Sequence, residues 1–199
     1  MSRMLTLEKG SRLNLAKESG LDFVRVGLGW TEKKFESQAD FDLDASAFVC
    51  DASGCVLTLP PHPSAWMLFY NQLKLGNSAL EHSGDERTGA SEGDDETITI
   101  DFTKLPPQAA HVAIVVTIHD AHQRRQNFGM IQEAHARIYD KTGLARAEYK
   151  LMEDASTATS LLFVEFKKNG AGEWVMMTVG EGFKSGLEKF CEMFKVPGY

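Results

Sequence analysis

Between His82 and Glu96 the chain places six carboxylates and three glycines in fifteen residues, with Arg87 the sole Lys or Arg among them. Carboxylates this close repel one another unless solvent or a cation lies between them. Gly84, Gly89 and Gly93 let the backbone bend sharply and take positive φ, which allows several oxygens to turn toward one point. Hard oxygen donors on a pliant loop suit Ca²⁺, which accepts about six to eight of them. A charge run of this kind is also what a solvated loop looks like.

A second acidic group lies some forty positions earlier, at Asp42-Leu43-Asp44. In an extended strand, residues two apart share a face, so Asp42 and Asp44 project together and Leu43 points away. Paired like charges on one strand face are unfavourable without a counter-ion. The expectation is an ion shared between this strand and the acidic loop. An EF-hand does not fit. Counting from Asp85, the positions that need oxygen side chains and a glycine hold Arg87, Gly89 and Ala90. The flank Thr97-Ile98-Thr99-Ile100 alternates with the period of a strand, not a helix. A calcium site here has to be built from β structure.

The elements that position these groups are mostly strands. Strand signals run through Phe23–Trp30, Phe48–Cys50, Cys55–Leu59, Met67–Tyr70, Thr97–Phe102, His111–Ile118, Ala134–Tyr139, Leu161–Phe166 and Trp174–Val179, with Asp51-Ala52-Ser53-Gly54 as a hairpin turn. Leu187, Phe190, Cys191 and Phe194 recur at helical spacing, and Asp120 is placed to cap a short helical turn. Short strands separated by turns predict an all-β chain: a β-sandwich of two mainly antiparallel sheets with a C-terminal amphipathic helix, residues 1–199 forming one domain.

Composition narrows the function classes. The 199 residues carry a net charge of −7, which argues against a phosphate-backbone binder, so no nucleic-acid partner is expected. No apolar run reaches membrane-spanning length, and the first nine residues lack a signal peptide's apolar core, so direct membrane insertion is not expected. Three cysteines without a Cys-x-x-Cys pair fit free thiols in a reducing cytoplasm. His119 and His122 are best read as polar residues at a strand-to-helix junction, and Trp30, Trp66 and Trp174 as core or rim aromatics. There is no Gly-x-Ser-x-Gly elbow and no phosphate loop.

Several ordered motifs resemble the TerD family of tellurium-resistance and stress proteins over nearly the whole chain. They are Val26-Gly27-Leu28-Gly29-Trp30, Phe41 to Phe48, Phe69-Tyr70-Asn71-Gln72, the acidic loop with Arg87-Thr88-Gly89, Val116 to Asp120, Arg125 to Gly129, Glu153 to Ser156 and Val179 to Phe183. The resemblance implies a cytoplasmic, non-enzymatic β-sandwich that binds Ca²⁺ within a tellurite-resistance and general stress-response system. It implies partners among the other proteins of that system. Carried over by motif, the metal ligands are Asp42, Asp44, Asp85, Asp94, Asp95 and Glu96, with Asn71 as a further candidate. Glu86, Ser91 and Glu92 stand where the family usually has Asn, Gly and Asp. The alternative from another class is a metal-dependent, hydrolase-like enzyme using Asp94, Asp95 and His119.

Overall fold

The computed structural model describes residues 4–17, 21–32, 41–59, 65–84, 93–150 and 156–199. In chain order the strands are β1 (Leu5–Leu7), β2 (Arg12–Asn14), β3 (Phe23–Glu32), β4 (Leu43–Cys50), β5 (Met67–Leu68), β6 (Lys74–Leu75), β7 (Leu80–His82), β8 (Glu96–Asp101), β9 (His111–Ile118), β10 (Ile131–Tyr139), β11 (Ala145–Lys150), β12 (Ser160–Lys168) and β13 (Trp174–Phe183). Among the described residues there are also two short α-helices, α1 (Ala121–Arg124) and α2 (Leu187–Met193), and two 3-10 turns at Leu15–Lys17 and Phe128–Met130.

One sheet has the order β1-β11-β10-β3-β8-β7-β6 and the other β2-β13-β12-β9-β4-β5. Every pairing is antiparallel except β1 with β11. The expected sandwich is therefore present. Its core comes from the period-two rule: Val24, Val26 and Leu28 of β3, Ile98 and Ile100 of β8, and Val112, Ile114 and Val116 of β9 all enter one apolar cluster between the sheets.

The second sheet is buried on its outer face as well, which explains why β4 and β9 are buried at every position. Phe48, Cys50, Ala113, Val115 and Leu162 point outward there and are covered by Phe190, Cys191 and Phe194 of the C-terminal segment. Glu188 folds back so that its carboxylate accepts from Gly186 N at 2.8 Å, closing the start of α2. Lys195 in the left-handed region (φ 55) ends it, with Val196 N bonding Cys191 O at 2.8 Å. Burying Phe190 fully contributes about 1.5–3 kcal/mol, and Phe190→Ala is the single change that would detach this cover.

Two sequence expectations need correction. The Cys50–Leu59 hairpin reduces to one bridge, Cys50 with Val56, because the chain leaves β4 to run under the C-terminal segment, where Val56 N bonds Phe194 O. Asp120 does stand at the start of α1, but in the left-handed region (φ 50) and without a side-chain cap bond.

Candidate functional site

β3 and β8 run antiparallel with Leu28 opposite Glu96 and Phe23 opposite Asp101. β4 and β9 pair with Asp44 opposite Thr117. These registers bring the start of β4, the start of β8, the end of β9 and α1 to one pole of the sandwich. Asp42, Asp44, Asp94, Asp95, Glu96 and His119 all lie at that pole. Their directions differ, because β8 begins only at Glu96 and Asp94 lies before it, in the bend that follows Gly93 (φ 119).

Glu96 points inward and is almost fully buried. Its Oε2 accepts from Ala45 N at 2.7 Å, while His82 Nε2, 3.5 Å from the same oxygen, lies 3.1 Å from Ala45 O. β5 pairs with β4 at Ala47 and Phe48, so among the described residues Ala45 has no strand neighbour on that side. Both of its backbone groups face the same way and need partners. Glu96 and His82 of the opposite sheet supply them, in the pattern a strand's own backbone would. Gly84 N donates to His82 Nδ1 at 3.0 Å, which places the proton of the neutral ring on Nε2. Burial disfavours a charged His82; the hydrogen bond and charge of Glu96 favour it and prevail, so its pKa is raised.

Asp94 points outward and lies across β3. A Cβ built on Gly27 would meet Asp94 Oδ2 at 2.0 Å, and one on Gly29 would meet the His135 ring at 2.5 Å. The alternation Val26-Gly27-Leu28-Gly29-Trp30 thus keeps its apolar residues in the core and leaves the outer face bare, so that Asp94 and His135 can rest on backbone. Asp94 Oδ1 is 3.3 Å from Arg137 Nη1 and 3.5 Å from His135 Nε2, and Arg137 Nε bonds Glu148 at 2.9 Å. Burial raises the Asp94 pKa; hydrogen bonds from His135 and Tyr139 and the Arg137 charge outweigh it and hold the carboxyl below its usual range. Asp95 serves the edge between these two: its Oδ2 accepts from Trp30 N at 2.9 Å and its N–H donates to Leu28 O.

Asp42 and Asp44 are both buried at the head of β4. Arg124 of α1 stands 3.8 Å from Asp42 Oδ2, and His119 Nδ1 3.7 Å from Asp44 Oδ2, with Asp120 on the far side of the same ring at 3.6 Å. The left-handed turn at Asp120 is what swings α1 back over these carboxylates. Asn71 is exposed in the Phe69–Gln72 turn. Asp85, with Glu86, Ser91 and Glu92, lies outside the described residues.

The donors at this pole are oxygens of the right kind for calcium. Their number is short: among the described residues no group of three or more His, Cys, Asp and Glu is placed to hold a metal ion. Glu96 and Asp94 are turned to internal partners on opposite faces of their sheet. The hydrolase arrangement is not assembled either, since His119 stands with Asp44 and Asp120 while Asp94 stands with His135.

His82, His135, Arg137, Gly27 and Gly29 were not singled out as site residues by chemistry. Two glycines at spacing two in a strand are the signal that one face must stay empty; nothing local marks His82 or His135.

Fold and site together define a class: an all-β sandwich whose acidic pole is knitted by carboxylate bonds between its two sheets. A family model described as the TerD domain matches residues 3–194. The chain is 40% identical over 189 residues to general stress protein 16U of Bacillus subtilis (strain 168), covering 94% of this chain and 95% of that one. It is 39% identical over 194 residues to tellurium resistance protein TerD of Serratia marcescens, covering 96% and 97%. The solved structure of a homologue of telluride resistance protein (TerD) from Streptomyces coelicolor A3(2) shares the fold at a TM-score of 0.65 and 22% identity, over 84% of this chain and 94% of the other. The chain belongs to the TerD family of tellurium-resistance and general stress proteins.

Proposed function

We propose that this protein is a calcium-binding, non-enzymatic module of a tellurite-resistance and general stress-response system, acting in the cytoplasm with other proteins of that system. The observation that carries the reading is the meeting of two distant acidic segments at one pole, where Glu96 at the foot of the acidic loop bonds the backbone of Ala45 beside Asp44. Buried carboxylates at Asp42 and Asp44 face one guanidinium at 3.8 Å and one imidazole at 3.7 Å. Ca²⁺ accepts oxygen donors of this kind. Three free thiols suit a reducing compartment, and no helix among the described residues is long and apolar enough to cross a membrane.

Calorimetric titration of metal-stripped protein tests the proposal. Wild type should bind Ca²⁺ in preference to Mg²⁺, which demands near-ideal octahedral geometry. Asp44→Ala should weaken binding at least about tenfold. Asp94→Ala should leave it within about threefold, because Asp94 is committed to Arg137 and His135. Equal affinity for both ions, or an unchanged affinity in Asp44→Ala, would refute it.

A further inference from the structure

At the pole opposite the acidic loop, seven β3 residues and about 20 Å away, a cleft of about 600 Å³ opens between the sheets. Leu15, Leu21 and Phe102 form its buried floor, half-buried Trp174 forms a wall, and Asp22, Thr103, Lys141 and Glu173 stand on its rim. That volume is in the range that encloses small organic ligands. The rim is held in place before any ligand arrives. Asp101 Oδ1 accepts from Thr103 N, Asp140 Oδ1 from Thr142 N and Leu144 N, and Asn169 Oδ1 from Ala171 N and Glu173 N. A fixed rim lowers the ordering cost of binding.

The aromatic wall is built in the same way. Phe102 and Trp174 pack with centroids 4.9 Å apart, and Lys168 Nζ lies 5.1 Å from the Trp174 ring. The carboxylates of the rim are not equivalent. Asp22 has Lys141 at 3.8 Å. Glu173 is held through Oε2 by two neutral amides, Asn14 Nδ2 at 3.0 Å and Asn169 Nδ2 at 2.9 Å. Those bonds lower its pKa, first through Asn169 and then through Asn14, with the Lys17 charge a smaller contribution, and they fix the position of the carboxylate. A positioned carboxylate beside an aromatic wall is the arrangement that selects an organic cation with a ring.

We propose that this cleft binds a small arylalkylamine, its ring against Phe102 and Trp174 and its ammonium on the Glu173 carboxylate. The site is independent of the calcium reading.

Calorimetric titration with tryptamine, and with indole-3-acetate as the charge-reversed probe, tests it on full-length protein with chelator present. One molecule of tryptamine should bind, and indole-3-acetate at least about tenfold more weakly. Glu173→Gln, which keeps an acceptor for Asn14 and Asn169, should lower tryptamine affinity by about tenfold with an unchanged melting temperature. Trp174→Leu should lower it too. Lack of tryptamine binding, equal binding of the two probes, or wild-type affinity in Glu173→Gln would overturn the proposal.

Discussion

Gly27→Ala gives the sharpest test of how the acidic pole is packed. The added Cβ would sit 2.0 Å from Asp94 Oδ2 and 2.3 Å from its Cγ, far inside an ordinary contact of about 3.5 Å. The carboxylate must swing out, away from Arg137 at 3.3 Å and His135 at 3.5 Å. Losing that pair costs about 1 kcal/mol, since the Arg137 side chain is 29% exposed and solvent screens it. Overpacking adds about 1–3 kcal/mol. Replacing a strand-interior glycine returns about 0.5–1 kcal/mol. The net expectation is a destabilisation of about 2 kcal/mol. With Asp94→Ala already in place, only the Cβ of residue 94, at 3.0 Å, remains in the way. A shift of a few tenths of an ångström relieves it, and the cost of Gly27→Ala should fall close to zero. Arg137 keeps Glu148 in that background. Urea unfolding of the four proteins, with a common slope, measures the coupling. Equal costs in the two backgrounds would show that the glycine answers to something other than Asp94.

Other expectations follow from the outer face of the second sheet. Glu165 is buried with His111 Nε2 at 2.9 Å and Lys167 at 2.8 Å. Burial raises its pKa, but His111 and Lys167 more than offset this and hold it below the ordinary glutamate value of 4.5. Its stabilising contribution is therefore complete above about pH 4.5 and lost as pH falls through the lower folded value. Glu165→Gln should cost about 1–3 kcal/mol at neutral pH and flatten the fall in stability below pH 4.5, measured by urea unfolding across pH. Burial first, and then the neighbouring Asp51, push the Cys50 thiol up to about 12. Iodoacetamide labelling followed by mass spectrometry should find Cys55 modified well before Cys50 and Cys191 in the native protein; early labelling at Cys50 would contradict the packing under α2.

The strands that carry strong apolar signals were legible. His111–Ile118 is β9 to the residue, since a continuous apolar run buried on both faces leaves no other reading. β6 and β7, two and three residues long, were missed because a period cannot show itself over so few positions. β11 was missed because its inward residues include Ala147, which has little strand preference of its own. The sequence reading expects an ion shared between Asp42, Asp44 and the acidic loop; the structure places Asp42, Asp44, Asp94, Asp95 and Glu96 at one pole, with Asp94 and Glu96 turned to opposite faces. The strand boundary bears on that difference. Placing the start of β8 at Thr97 leaves Asp94, Asp95 and Glu96 in a loop, free to converge. With Glu96 already in the strand and facing the core, Asp94 lies two residues before it in the bend that follows Gly93 (φ 119), and that bend, not the pleat, turns its side chain to the outside. His82 could not be paired with Ala45 from sequence, because its partner is backbone and lies in the other sheet.

The bonds from Glu96 and His82 to Ala45 have one more consequence. A strand whose N–H and C=O lie open invites the same groups of another molecule, and growth of intermolecular sheet begins at such places. The head of β4 is apolar at Phe41, Leu43 and Ala45 and would be a good template if it were accessible. Side chains borrowed from the facing sheet occupy it instead. Loss of the Glu96 carboxylate would uncover the Ala45 N–H, and the expected outcome is self-association on concentrating the protein, read by light scattering.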